Sequence, residues 1–364
     1  MIKRHSLLSY IFLLLLAVSF TACSNDSGED EPTETDFTNL LTNQVNQVIV
    51  PTMEAYQSSM EGLVDAVNGF ASTSDANNLS ALRAAFQDAY LAYQAAAVHN
   101  YFATANQALV TTSNLFPVDV TLLEELIENE TYNFSTTAQE KANGFPAIDY
   151  LLYGPADVLT FFDEDDKRLA FLQALVNSMK AKADVLVDQW TGNLRTAFIG
   201  NGGTEIGSSV STQLNEATVY YELRIREDKV GIPIGRLGPN DSPIAADPTK
   251  IEAYYQSLFA DDESFTLSLV RAAIEELEDL YLGSTATDVN DQGYDDLLLA
   301  RDQASVDTDI KAQFEAIYNE IASRSSISGD EDLYNAVQGM VTLFKSDLFT
   351  VLNVQDADGM VDGD

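Results

Sequence analysis

An all-α fold is predicted by three features of the sequence. Apolar residues recur at helical spacing over most of the chain, no stretch alternates with period two, and most connections between the periodic segments are short. Long amphipathic helices joined by short loops make bundles. The expected architecture is therefore two up-and-down helical bundles packed side by side.

Each helix is read from its apolar stripe. The first spans about 37–69, with a bend at Pro51, because proline cannot donate a helix hydrogen bond. Leu79, Leu82, Phe86, Tyr90, Tyr93 and Ala97 form the next stripe. Leu169, Leu172, Val176, Met179, Ala183, Leu186 and Trp190 form another. Leu269, Ala273, Leu277 and Leu280 follow, then Ile310, Phe314, Ile317 and Ile321. The last runs Leu333, Val337, Val341, Phe344, Leu348, Val351. Start signals agree with these helices. Asp247-Pro248 reads as a cap followed by proline at the first helical position, and Thr137 with Glu140 as a capping box. The acidic run Asp163 to Asp166 reads as a helix start favoured by the helix dipole rather than as a metal site. Loops are expected at 70–78, 103–118, 130–136, 200–204, 230–246, 283–292 and 325–331. The glycine-rich run from Ile199 to Thr204 suggests a seam between about 160 and 205.

The ends carry addressing information. Lys3 and Arg4 precede an unbroken apolar run from Ile11 to Val18, which is too short to span a membrane. Small residues then precede Cys23, the sole cysteine, in Phe20-Thr21-Ala22-Cys23. This is the arrangement of a lipoprotein signal peptide, with Cys23 as the acylated first residue of the mature chain. Several acyl chains on one cysteine anchor a protein stably. Residues 24–36 are polar and acidic and cannot bury enough apolar surface to fold, so they read as a tether. The expected organisation is signal peptide 1–22, acidic tether 23–36, bundles at 37–190 and 191–355, and an acidic tail at 356–364. The expected location is the cell envelope, as an outer-membrane lipoprotein facing the periplasm or the cell surface.

Charge narrows the partners. The whole chain carries 19 basic and 57 acidic residues, a net charge of −38. Loss of Lys3 and Arg4 with the leader takes this to −40. Such a surface repels nucleic acid and attracts cations, and it also keeps the protein soluble. A single cysteine leaves no internal disulfide.

One segment carries a family resemblance. Gly144-Phe145-Pro146-Ala147-Ile148-Asp149-Tyr150-Leu151-Leu152-Tyr153-Gly154 resembles the hallmark of the imelysin family, in which glycine is followed by histidine, glutamate and an aromatic-leucine-leucine run closing on glycine. Gly144, Tyr150, Leu151, Leu152 and Gly154 match, whereas Pro146 stands at the histidine and Asp149 at the glutamate. The segment Leu82 to Tyr90 is similar to the family's early helix, with Phe86 for its tryptophan. Lys229 to Gly235 and Asp247 to Tyr255 are similar to later family segments. The resemblance covers most of 37–352. It implies two pseudo-symmetric helical bundles with a ligand cleft between them, export, and an association with iron uptake, through an uptake component as partner. The family's peptidase label supplies the alternative, a metallopeptidase-like hydrolase.

A histidine and a glutamate three apart on a helix can share one metal. Proline has no donor atom, and Asp149 alone offers a single carboxylate to a hard cation. Asp149 is thus the one metal candidate of the motif, for iron or another divalent cation, and pairing with a basic or tyrosyl neighbour is the competing reading. The cleft residues expected from the resemblance are Gly144, Pro146, Asp149, Tyr150, Asp247, Glu252 and Tyr254, with Arg83 and His99 beside them. His99 is the only histidine after the leader, so two histidine ligands for a zinc peptidase are not available. No Gly-x-Ser-x-Gly elbow is present. No catalytic residue is assigned. The expected function is a non-enzymatic binding or accessory protein in iron or haem acquisition. The tail from Asp356 and the run Asp288, Asn290, Gln292, Gly293 look like incomplete calcium loops. The sixteen tyrosines read as bundle core with hydroxyls at the rim.

Overall fold

The computed structural model describes residues 36–102, 108–237, 242–284, 292–329 and 331–355. The leader with Cys23, nearly all of the tether, the acidic tail and most of the run from Asp288 lie outside the described residues.

The chain is all-α. Helix α1 (Thr38–Asn43) passes through a π-helical turn (Gln44–Ile49) into α2 (Val50–Ser72). Pro51 has no N–H to donate and its ring crowds the carbonyl four residues back, and the helix widens just before it. Helix α3 (Ala76–Val98) is capped by Asp75, whose carboxylate accepts the Asn78 N–H at 2.8 Å. The expected loop at 103–118 holds a short helix, α4 (Leu109–Ser113), before α5 (Val120–Asn129). A 3₁₀ turn (Thr137–Ala142) leads into α6 (Gly144–Tyr153) and α7 (Val158–Asp163). No side chain caps that 3₁₀ turn, so the capping box expected of Thr137 and Glu140 does not form. Helix α8 (Asp166–Thr191) does start in the acidic run, with Asp165 accepting the Lys167 N–H at 3.0 Å.

The second half begins with α9 (Asn193–Gly200) and α10 (Ser209–Tyr220), which continues as an eleven-residue π-helical stretch (Tyr221–Gly231). The brief α11 (Ile232–Ile234) precedes a two-residue antiparallel pair, β1 (Arg236–Leu237) and β2 (Ser242–Pro243), with Arg236 opposite Pro243. Helices α12 (Tyr254–Ala260), α13 (Ser264–Leu282), α14 (Tyr294–Ala300), α15 (Ala304–Ala322) and α16 (Asp332–Thr342) follow. A π turn (Leu343–Leu348) and α17 (Phe349–Leu352) close the described chain. Asp247-Pro248 opens a turn, not a helix. The Asp247 carboxylate accepts the Thr249 N–H and O–H, the Lys250 N–H bonds the Asp247 carbonyl, and the helix begins only after Ala253, whose φ is +53°.

The stripes read from the sequence face inward. Every residue named in them is buried except Leu169 and Val351, which are half-buried against the core. Helix α2 lies between α3 and α8, and α3 packs on its other side against α13. From Asp36 onwards the chain forms one compact unit, and its apolar core is continuous across 190/191, the expected boundary between bundles.

Candidate functional site

The motif around Asp149 is built from a helix start that requires glycine at position 144. Gly144 has φ +73°, and a Cβ there would lie 2.0 Å from the Ser113 carbonyl oxygen. The Asn143 side chain accepts the Gly144 N–H at 2.7 Å. Pro146 sits in the first turn of α6, where a missing N–H leaves no helix bond unmade.

One turn on, Asp149 faces α12. One carboxylate oxygen accepts the Tyr255 N–H at 2.8 Å and the other the Gln256 N–H at 3.0 Å. Helix α12 has no side-chain cap from its own flanking residue, so Asp149 supplies the cap from 106 residues away. Asp149 is 2% exposed. Burial pushes its carboxyl up to about 7, and the two backbone donors oppose the rise.

This junction borders a pocket of about 170 Å³. Pro146 and Asp149 line it from α6, Phe116, Pro117 and Val118 from the segment before α5, and Thr249, Ile251, Ala253, Tyr254 and Tyr255 from the approach to α12. Its lining is mostly apolar and aromatic, with one carboxylate. One carboxylate and a threonine hydroxyl do not make the donor set of a transition-metal site, so the metal pair implied by the family hallmark does not fit here. Among the described residues no cluster of three or more His, Cys, Asp or Glu is arranged to hold a metal ion.

The family model of imelysin (Peptidase_M75) matches residues 49–343, well over half of the chain. This chain belongs to the imelysin family. Two solved structures share the imelysin fold. An imelysin-like protein from Psychrobacter arcticum is similar at TM-score 0.69 and 15% identity, over 88% of this chain and 96% of that one. An iron-regulated protein A precursor from Parabacteroides distasonis is similar at TM-score 0.63 and 14% identity, over 90% of this chain and 95% of that one. No curated protein matches the chain.

The structure places the remaining expected cleft residues of this imelysin in several different settings. Tyr150 stacks edge-on against Tyr255 and donates its O–H to Glu124 at 2.8 Å, beside the pocket junction. Arg83 donates to the Leu152 carbonyl from Nε at 3.0 Å and lies over the rings of Tyr153 and Phe259. It braces the far end of α6, outside the pocket lining. Asp247 is taken up by its turn and by Lys250 at 3.7 Å.

Glu252 points away from the pocket into the core. Its Oε2 lies 2.6 Å from Lys229 Nζ, and its Oε1 accepts from Gln94 at 3.2 Å and from the Asn114 amide. Lys229 also donates to Gln94 Oε1 at 2.7 Å, and Tyr90 donates to Asn114 Oδ1 at 2.6 Å. Burial lowers the Lys229 pKa, and Glu252 opposes that. His99 is elsewhere again, fully buried at the end of α3. Its Nε2 meets Glu276, its Nδ1 meets the Tyr101 O–H at 2.8 Å, and Thr52 donates to the same Glu276 oxygen at 2.9 Å. Neither buried group lines the pocket beside Asp149. Sequence reading missed Gln94 and Asn114 and marked Lys229 only as the start of a family-like segment, because polar groups buried by distant packing leave no spacing of their own.

Proposed function

We propose that this imelysin is a non-enzymatic binding protein of the bacterial cell envelope, anchored through Cys23, that serves iron acquisition with the pocket beside Asp149 as its ligand site. One observation carries the non-enzymatic reading. The surviving carboxylate of the hallmark motif is committed at both oxygens to the backbone of α12, and proline stands where the imidazole would be. The motif therefore shapes a pocket and clamps two helices together, and it presents no pair of groups that could activate water. The link to iron is supported by the likeness to a protein described as iron-regulated. A volume of about 170 Å³ is well below the roughly 300–1,000 Å³ of pockets for drug-sized ligands. A small ligand suits it, and haem would need a different surface.

Two experiments test this reading. Elemental analysis of the dialysed mature protein, with a peptide-hydrolysis assay on the same sample, is expected to give no stoichiometric zinc or iron and no turnover. Retained metal together with cleavage would favour the metallopeptidase-like alternative. Separately, Cys23→Ala is expected to move the protein from the membrane pellet to the soluble envelope fraction. Equal fractionation of the variant and the parent would remove the anchor.

A further inference from the structure

We propose that the pocket beside Asp149 binds a small organic cation, an alkylammonium group of choline-head size, held by the rings of Phe116, Tyr254 and Tyr255 and by the charge of Asp149. This rests on the reading of that pocket as the ligand site and specifies what enters it.

The first ground is a missing counter-charge. Asp149 is 2% exposed, and no basic side chain pairs with it among the described residues. Buried carboxylates are ordinarily paired, because desolvation of an isolated charge is costly. Its two backbone donors belong to a helix of seven residues, whose N-terminus supplies at best about half a unit of positive charge. Above about pH 7, where the carboxyl is ionised, a full positive charge is what the site lacks.

The second ground is the lining. Three aromatic residues, Phe116, Tyr254 and Tyr255, line one small pocket with Asp149. Aromatic rings attract ammonium groups through their quadrupoles, and cages of this composition recognise quaternary ammonium ions. A metal cation demands several oxygen, nitrogen or sulfur ligands, which this lining does not offer. An organic cation demands none, only ring surface and a nearby negative charge. The volume of about 170 Å³ suits a head group of a few heavy atoms, and the net charge of −38 concentrates cations around the protein.

The test compares choline with 3,3-dimethyl-1-butanol, its uncharged isostere, by calorimetric titration into the mature protein at about pH 8, where the Asp149 carboxyl is ionised, and at fixed ionic strength. Choline is expected to bind at least about tenfold more tightly than the alcohol. Tyr254→Ala is expected to weaken choline by a similar factor while the circular dichroism spectrum stays unchanged. Equal binding of the two probes would overturn the inference and leave the pocket standing as an apolar site. Choline binding that is indifferent to Tyr254→Ala would overturn it by placing the cation elsewhere. Binding of neither probe at millimolar concentration would overturn both the inference and the assignment of the pocket.

Discussion

Lys229→Ala is expected to cost about 3–5 kcal/mol of folding stability, because it leaves the Glu252 carboxylate buried without its cation. Both side chains are no more than 2% exposed, and their charged atoms lie 2.6 Å apart. The pair holds together distant parts of the chain. Lys229 comes from the π-helical stretch, Gln94 from α3, and Asn114 from just beyond α4. Thr266 of α13 donates to the Glu252 carbonyl at 2.8 Å. Removing one charge therefore loosens the centre of the fold, where water cannot enter to compensate. The double variant Lys229→Met with Glu252→Gln removes both charges and keeps an acceptor for Asn114. It is expected to recover more than half of the loss, since neutralising a buried pair costs far less than splitting it. Urea denaturation followed by circular dichroism measures both. A loss below about 1 kcal/mol for Lys229→Ala would mean that Glu252 is solvated or otherwise neutralised.

The contrast between Lys229 and the apolar stripes explains what could be read in advance. Leu82, Phe86, Tyr90 and Tyr93 announce their helix because burial imposes a period of 3.6 on apolar residues, and that period survives in the sequence. The acidic run from Asp163 to Asp166 was legible as a helix start because the signal is local, the Asp165 cap reaching only to Lys167. Polar residues carry no such mark. The stretch from Tyr221 to Gly231 holds six charged residues and resembles a solvent-facing helix, yet Glu222, Arg226 and Lys229 are buried. Its π geometry was equally hidden, since no residue pattern specifies it.

The site shows the same division. Gly144 and Asp149 were singled out through the resemblance, and the backbone there is unusual, with Gly144 at φ +73° and Asp149 capping a distant helix. What Asp149 does there was not legible. Its partners are backbone N–H groups more than a hundred residues away, and a backbone donor has no sequence identity. Asp247 attracted the helix-start reading that belonged to Asp149, because a local Asp-Pro signal cannot reveal that a distant carboxylate already caps the helix. His99 and Glu252 were grouped with the cleft through the resemblance. Burial sent each into a separate core network, and Gln94, on the same helix as His99, joined the Glu252 network instead.

Replacing Asp149 by Ala is expected to cost about 2–6 kcal/mol, because the N–H groups of Tyr255 and Gln256 lose their acceptor in a buried or part-buried place, at about 1–3 kcal/mol each. The loss should be local at first, with hydrogen exchange at the start of α12 rising before the global transition changes. The pH dependence is a sharper test of the carboxyl itself. Its ordinary value is 3.8 and burial raises it to about 7, so the folded state binds a proton that the unfolded state releases. Stability from this group is then fully present below about pH 4 and falls as pH rises through 7, by up to about 4 kcal/mol for an unrelieved shift. Asp149→Asn removes the titration, so the difference in unfolding free energy between wild type and this variant isolates it from the many surface carboxylates. That difference is expected to move in favour of the variant as pH increases from 5 to 8. A difference that stays flat over this range would show the carboxylate to be ionised throughout, with the two backbone donors alone outweighing its burial.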